Sequence, residues 1–313
     1  MTAKAIIEIE GLSKSYGNLA ALSSLNLTIH EGDTFGFIGP NGAGKTTTMR
    51  ILSTLLLPTT GKATVCGVDV CRYPEEVRKL IGYMPDYFGT YDDLRVWEYL
   101  DFFAHAYNVK KSRRPSMIDG VLELTDLTAK KDALVDSLSR GMKQRLCLAK
   151  TLVHDPAVLL LDEPASGLDP RARIEIRELL KELGGMGKTI FISSHILSEL
   201  SELCNKICII EQGKLVAQGA VDDLADKVKP PNLLRIECLC PCQKAKEILK
   251  KFPDLEIYQC EDKVVLLSID GEEEEIPPLI ARLIEAGLPI VGFGREERDL
   301  EQIFMKMTEG VVA

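Results

Sequence analysis

The chain has 313 residues, more than one average domain, and 45% of them are hydrophobic, enough for a sizeable core. Its 47 acidic residues outnumber 38 basic ones, giving a formal net charge of -9, so an overall positive field that would draw nucleic acid is excluded. Any anionic ligand must be gripped locally. The greasiest windows, such as 157–161 and 55–57, fall far short of the about 20 apolar residues that span a bilayer, so no direct membrane insertion is expected. Residues 1–10 lack a basic flank followed by a long apolar run, and nine cysteines in a chain without an export signal read as reduced thiols.

In chain order, β-like runs fall at 5–9, 24–29 and 34–38. The last runs straight into Gly39-Pro40-Asn41-Gly42-Ala43-Gly44-Lys45-Thr46, followed by Thr47, which satisfies the phosphate-loop pattern GxxxxGK[ST]. Glycines let successive N–H groups converge on phosphates, and the helix starting near Lys45 turns its positive end toward them. Lys45 adds a point charge, and the Thr46 hydroxyl suits Mg²⁺. A further strand is expected at 63–65, then a mostly helical insert over about 87–153. Its aromatic stripe, Trp97, Phe102, Phe103 and Tyr107, reads first as core, with docking of a partner as the second reading.

Beyond the insert, a strand at 158–161 (VLLL) is apolar throughout, as a strand buried on both faces should be, and it ends in Asp162 and Glu163. That delivers two carboxylates to the sheet edge where ligands bind, Asp162 for a metal or its water shell and Glu163 as general base. Helical stretches at 171–183 and 196–203 alternate with strands at 189–192 and 206–210, and 215–218 closes a hairpin over Gln212-Gly213. Alternating strand and helix predicts an α/β layer on a parallel sheet.

After Gly219 the texture changes. Residues 227–231 (KVKPP) read as a linker. Strand 234–239, helix 243–252, strands 255–259 and 263–269, helix 276–286 and strand 289–292 give a βαββαβ order, the ferredoxin-like pattern, with a last helix at 300–307. The acidic run 272–275 reads as solvated loop and helix N-terminus. Cys238, Cys240 and Cys242 lack the second pair that a metal site needs, and the first two fit alternate strand positions.

Residues 138–145, Leu138-Ser139-Arg140-Gly141-Met142-Lys143-Gln144-Arg145, stand about twenty positions before Asp162 and resemble the LSGGQ signature of ABC ATPases. Tyr16 resembles the family's adenine-stacking aromatic residue, Ser166-Gly167-Leu168-Asp169 its D-loop, and His195 its switch histidine. The resemblance covers about 5–220. It implies a P-loop NTPase of ABC type, with a parallel-sheet core, an antiparallel β part and a helical insert, as a domain of 1–222. A small α+β domain of 223–313 follows, for which a regulatory or dimer-supporting role is expected.

The resemblance further implies ATP and Mg²⁺ as ligands, with Thr46, Asp162 and Asp86 near the metal. Two subunits, expected to be identical copies, would close over two ATP molecules. The signature residues Ser139, Arg140, Gly141 and Met142 of one would then face the nucleotide of the other, with Glu163 activating water and His195 holding it in line. A separate integral membrane permease on the cytoplasmic face of the cell membrane, and export of the ABC-2 kind, are implied as well. Two motifs depart from the family pattern. Arg140 and Met142 stand where it carries Gly and Gln, and Asp86 stands in the Q-loop (Gly82-Tyr83-Met84-Pro85-Asp86) where it carries Gln. The rival readings are a non-transport ABC ATPase and a regulatory ATP-binding scaffold.

Overall fold

The computed structural model describes residues 4–87, 89–221, 232–252, 255–269 and 276–295, which fall into two compact units divided after Val221. The expected linker at 227–231, the acidic run and the helix at 300–307 lie outside the described residues.

The first unit is built on a six-stranded sheet. Its strands are β3 (Thr34–Ile38), β6 (Ile81–Met84), β7 (Val158–Asp162), β8 (Thr189–Ser194), β9 (Lys206–Glu211) and β10 (Lys214–Ala220), in the order β10-β9-β3-β8-β7-β6. All neighbours are parallel except the β9–β10 hairpin. Every residue of β7 and β8 is buried, the pattern of strands covered on both faces. The hairpin turns through Gln212 and Gly213 at positive φ (48° and 74°), as a tight two-residue turn requires. β6 was not expected from the sequence: its four residues, three of them in the Q-loop motif, show no alternation, and they follow a helix, α2 (Pro74–Leu80), of only seven residues.

A second, antiparallel sheet of β1 (Ala5–Tyr16), β2 (Leu19–His30), β4 (Thr60–Val65) and β5 (Val68–Asp69) has the order β2-β1-β4-β5. Its apolar face, with Ile7, Leu25, Ile29 and Val65, shares one core with Met49 and Leu52 of α1 (Lys45–Leu52) and with Phe37, Leu160 and Phe191 of the parallel sheet. β1 and β2 outrun the expected stretches, because bulges let the ladder continue past Gly11 (φ 56°) and Ser24 (φ 53°).

The helical insert carries α3 (Val96–Ala106), α4 (Arg114–Leu124) and α5 (Arg140–Leu152). Helical phase corrects the reading of its aromatic stripe as core. Val96, Tyr99, Leu100 and Ala104 turn inward, leaving Trp97 36% and Phe102 49% exposed. Tyr107 stacks on the His154 ring at 3.7 Å, beside the bond from that ring to the Ile81 carbonyl. α6 (Pro170–Gly185) and α7 (Leu197–Ser201) follow β7 and β8.

The second unit has β11 (Asn232–Cys238), α8 (Cys242–Leu249), β12 (Glu256–Glu261), β13 (Val264–Ile269), α9 (Ile276–Glu285) and β14 (Ile290–Arg295). Its antiparallel sheet runs β12-β13-β11-β14, the ferredoxin-like arrangement, with Leu234, Ile236, Ala245, Leu249, Leu267 and Leu283 at its core. Cys238 and Cys240 are buried in that core. Not all nine cysteines are free thiols, however. Cys242 and Cys260 are joined as a disulfide, because the start of α8 brings their Cα atoms to 5.8 Å, within reach of an S–S bridge. Among the described residues, no helix is long and apolar enough to cross a membrane.

Candidate functional site

The glycine-rich loop leaves the carboxyl end of β3 and enters α1, the place where open α/β sheets bind ligands. Gly44 caps α1 in the left-handed region (φ 106°), and a Cβ there would meet the Ala21 carbonyl at 2.6 Å. β2 therefore fixes the loop from one side. The β9–β10 turn fixes it from the other, through the bond from Gly213 N–H to the Ala43 carbonyl (3.0 Å). Because the first helical bond runs from Thr48 N–H to the Gly44 carbonyl, the N–H groups of Lys45, Thr46 and Thr47 precede the helical ladder and suit an anion.

Lys45 is 6% exposed, and its ammonium donates to the Gly39 carbonyl at 2.6 Å and the Pro40 carbonyl at 3.3 Å. It also lies 3.3 Å from Oε1 of Glu163. The other carboxylate oxygen, Oε2, lies 2.8 Å from Nδ1 of His195, at the end of β8. Glu163 stands just past β7 with φ 51°, a conformation that costs energy for a non-glycine residue and is held from outside. The holder is Ser193 of β8, whose hydroxyl accepts from Glu163 N–H (3.1 Å) and donates to Oδ1 of Asp162 (2.6 Å). Sequence reasoning missed Ser193; its place two residues before His195 on a buried strand was the signal that could have found it.

Asp162 is 1% exposed, and its Oδ2 has no hydrogen-bond partner among the described residues. Burial raises its carboxyl above the usual range. The Ser193 hydrogen bond and the nearby Thr46 hydroxyl pull it back, and the charges of Asp86 and Glu163 push it up again. Burial first, then the charge of Asp162 and more weakly that of Asp86, lift the neighbouring Tyr83 phenol to about 12 against the pull of Arg50. An orphaned buried carboxylate oxygen near the Thr46 hydroxyl, with the charge of Asp86 close by, fits a hard divalent cation.

One cleft of about 400 Å³ gathers most of the expected residues: Tyr16, the loop from Pro40 to Thr47, Asp86, Glu163, Ser166 and His195. Leu19 and Ala21 join it from β2, where no motif marked them. Gly39 and Asp162 lie outside the lining, the first as acceptor for Lys45 and the second beside Thr46. The signature-like residues Ser139, Arg140, Gly141 and Met142 are not brought there. With Gly167, Leu168 and Asp169 they line a separate recess of about 270 Å³. Ser139 caps α5, accepting from Met142 N–H at 3.3 Å, and Asp169 caps α6, accepting from Ala172 N–H at 3.0 Å.

Comparison with known proteins places this geometry. Residues 22–166 match the family described as ABC transporter. The "Nod factor export ATP-binding protein I" of Paraburkholderia xenovorans is 40% identical over 217 residues, covering 69% of this chain and 71% of the relative. The protein of the same name from Burkholderia orbicola is 34% identical over 302 residues, covering 96% of each, so that likeness extends through the second unit. Among solved structures, an ATP-binding subunit of an ABC transporter superposes with a TM-score of 0.65 at 28% identity, covering 71% of this chain and 92% of its own. A Clostridium perfringens protein that is part of an ABC transporter complex reaches 0.64 at 26%, covering 80% and 97%. The chain belongs to the ABC transporter ATP-binding subunits, the ATP-hydrolysing members of those systems.

Proposed function

We propose that this chain drives export through a separate membrane permease, by closing as a pair over ATP and hydrolysing it at Glu163. The observation that carries the reading is the separation of the two recesses. A cleft built for a nucleotide holds Lys45, Glu163 and His195. The signature residues sit apart from it, so a second copy is needed to bring them to phosphate. Export is supported by the relatives, which are Nod factor export ATP-binding proteins.

In this reading Thr46 and Asp162 would hold Mg²⁺, with Asp86 beside them, and the bound ion would supply positive charge against the phosphates. The loop N–H groups and Lys45 orient the γ-phosphate. Glu163 accepts the proton of the attacking water, and His195 holds that carboxylate in place. Residues 1–222 act as the ATPase domain on the cytoplasmic face of the membrane, with 223–313 as an accessory. The exposed Tyr87, Tyr91, Trp97 and Phe102 of the insert offer an apolar face to the permease. The test is ATP turnover by the purified chain, with dimerisation followed by light scattering at saturating Mg-ATP, alone and with the membrane partner. Turnover with an ATP-dependent dimer is expected. ATP binding without turnover or dimerisation, even with the partner present, would overturn the proposal.

Adenine recognition gives a separate expectation. Tyr16 stands 46% exposed at the cleft mouth, with Lys14 Nζ 5.3 Å from its ring centre. Stacking a base on such a ring contributes about 1–3 kcal/mol. Tyr16→Ala should therefore raise KM for ATP about tenfold with kcat little changed, and Tyr16→Phe should leave both near wild type. Steady-state kinetics at varied ATP check this; an unchanged KM for the alanine variant would remove Tyr16 from the nucleotide site.

A further inference from the structure

We infer that Arg140 is a positioning residue that latches the signature loop to the D-loop of its own chain, so that the two respond to a nucleotide as one body. The residue is a departure: the family pattern has glycine here, which could make no such contact. Its guanidinium lies over the backbone of Gly167, where φ is 66° and a Cβ would overlap the Arg140 nitrogens. Nη2 donates to the Ser166 carbonyl at 3.4 Å. The bare backbone of Gly167 is thus matched to the cation above it.

Neighbouring contacts stiffen the same joint. Gln144, one turn along α5, donates from its buried amide to the Pro164 carbonyl at 2.6 Å. A Cβ at Gly141 would stand 3.2 Å from that of Ala172, so the starts of α5 and α6 are already close. From the far side, Arg173 donates to the Leu168 carbonyl at 3.0 Å. The D-loop is held between two arginines, one from the signature helix and one from α6. Ser166 in turn lines the chain's own nucleotide cleft, and its N–H donates to the Glu163 carbonyl at 3.0 Å. A displacement of the signature loop therefore has a short path, through Arg140, Gly167 and Ser166, to the carboxylate that does the chemistry. With its guanidinium engaged in this way, Arg140 leaves Ser139 and Gly141 as the loop's groups for phosphate.

The inference rests on the site assignment proposed above, and its test separates the two. Arg140 is exposed, so its replacement leaves the core intact. Arg140→Gly should lower kcat about tenfold, with KM for ATP changed less than about twofold, because Glu163 is misplaced while the cleft is not. Arg140→Lys should restore little of the loss, since an ammonium cannot spread over the Gly167 backbone as a planar guanidinium does. Gly167→Ala and the double variant Arg140→Gly/Gly167→Ala complete a cycle. The backbone strain of Gly167→Ala is common to both backgrounds, but its overlap with position 140 exists only in the arginine background. The two sites should be coupled by about fivefold in kcat, and the melting temperatures of the four proteins should show the same non-additivity. Additive effects, full rescue by lysine, or a raised KM at constant kcat would each overturn the latch. If the wild type does not turn ATP over, the site assignment fails, and the cycle in melting temperature still decides whether positions 140 and 167 are joined.

Discussion

Glu163→Gln is expected to slow ATP turnover by about 10²–10⁴-fold, which corresponds to about 3–5 kcal/mol of transition-state stabilisation, while ATP remains bound. Glutamine keeps the shape of the side chain and one oxygen acceptor, so either the Lys45 or the His195 contact survives. It loses the second acceptor and the ability to take a proton from water. The native side chain is only 11% exposed, and its two oxygens face an ammonium at 3.3 Å and an imidazole at 2.8 Å. Such a carboxylate is fixed in direction before substrate arrives, a condition under which a general base is effective. Replacement also removes a negative charge from beside the phosphates, so the variant should bind ATP at least as tightly as wild type and accumulate as a closed pair. Light scattering with Mg-ATP would detect that pair and a phosphate-release assay the arrest. A variant that retained half of the wild-type rate would remove Glu163 from the chemistry.

The parts of this site that the sequence made legible are those in which one short segment does the whole job. Residues 39–47 carry their own glycines, cation and hydroxyl, and β7 carries its carboxylates at its end, so local pattern was enough. The hairpin over Gln212-Gly213 was legible for the same reason, since the turn demands positive φ at both positions. What the sequence concealed depends on strands that are neighbours only in space. Ser193 orders Asp162 and Glu163 from β8, and Ala21 and Gly213 buttress the phosphate loop from two different sheets. The Cys242–Cys260 bridge is set by α8 lying against β12, which cysteine spacing alone does not encode. Arg140 reads in the sequence only as a departure from the signature pattern, and it takes the fold to bring its guanidinium over Gly167. Trp97 and Phe102 face outward because helical phase, not aromatic content, decides which side chains of α3 turn inward.

Lys45→Ala should act on the other side of the same ion pair and with the opposite sign on affinity. The ammonium is 6% exposed and bonded to two loop carbonyls, so it is positioned before the phosphates arrive. A hydrogen bond to a charged group contributes about 1.5–3 kcal/mol, which predicts ATP affinity weakened by about 10–100-fold and turnover below detection. Loss of the cation has a second consequence. It leaves the Glu163 carboxylate, buried and 11% exposed, facing the polyphosphate with His195 as its remaining partner, and that repulsion adds to the lost attraction. The double variant Lys45→Ala/Glu163→Gln separates the two terms, because it removes cation and anion together. Its ATP affinity should recover part of the loss seen in Lys45→Ala, although it remains as inactive as either parent. Binding measured by calorimetry for the four proteins closes the cycle. A Lys45→Ala variant with wild-type affinity would mean that the phosphates do not lie in the cleft bounded by residues 40–47. An additive double variant would mean that Lys45 and Glu163 do not sense each other across their 3.3 Å.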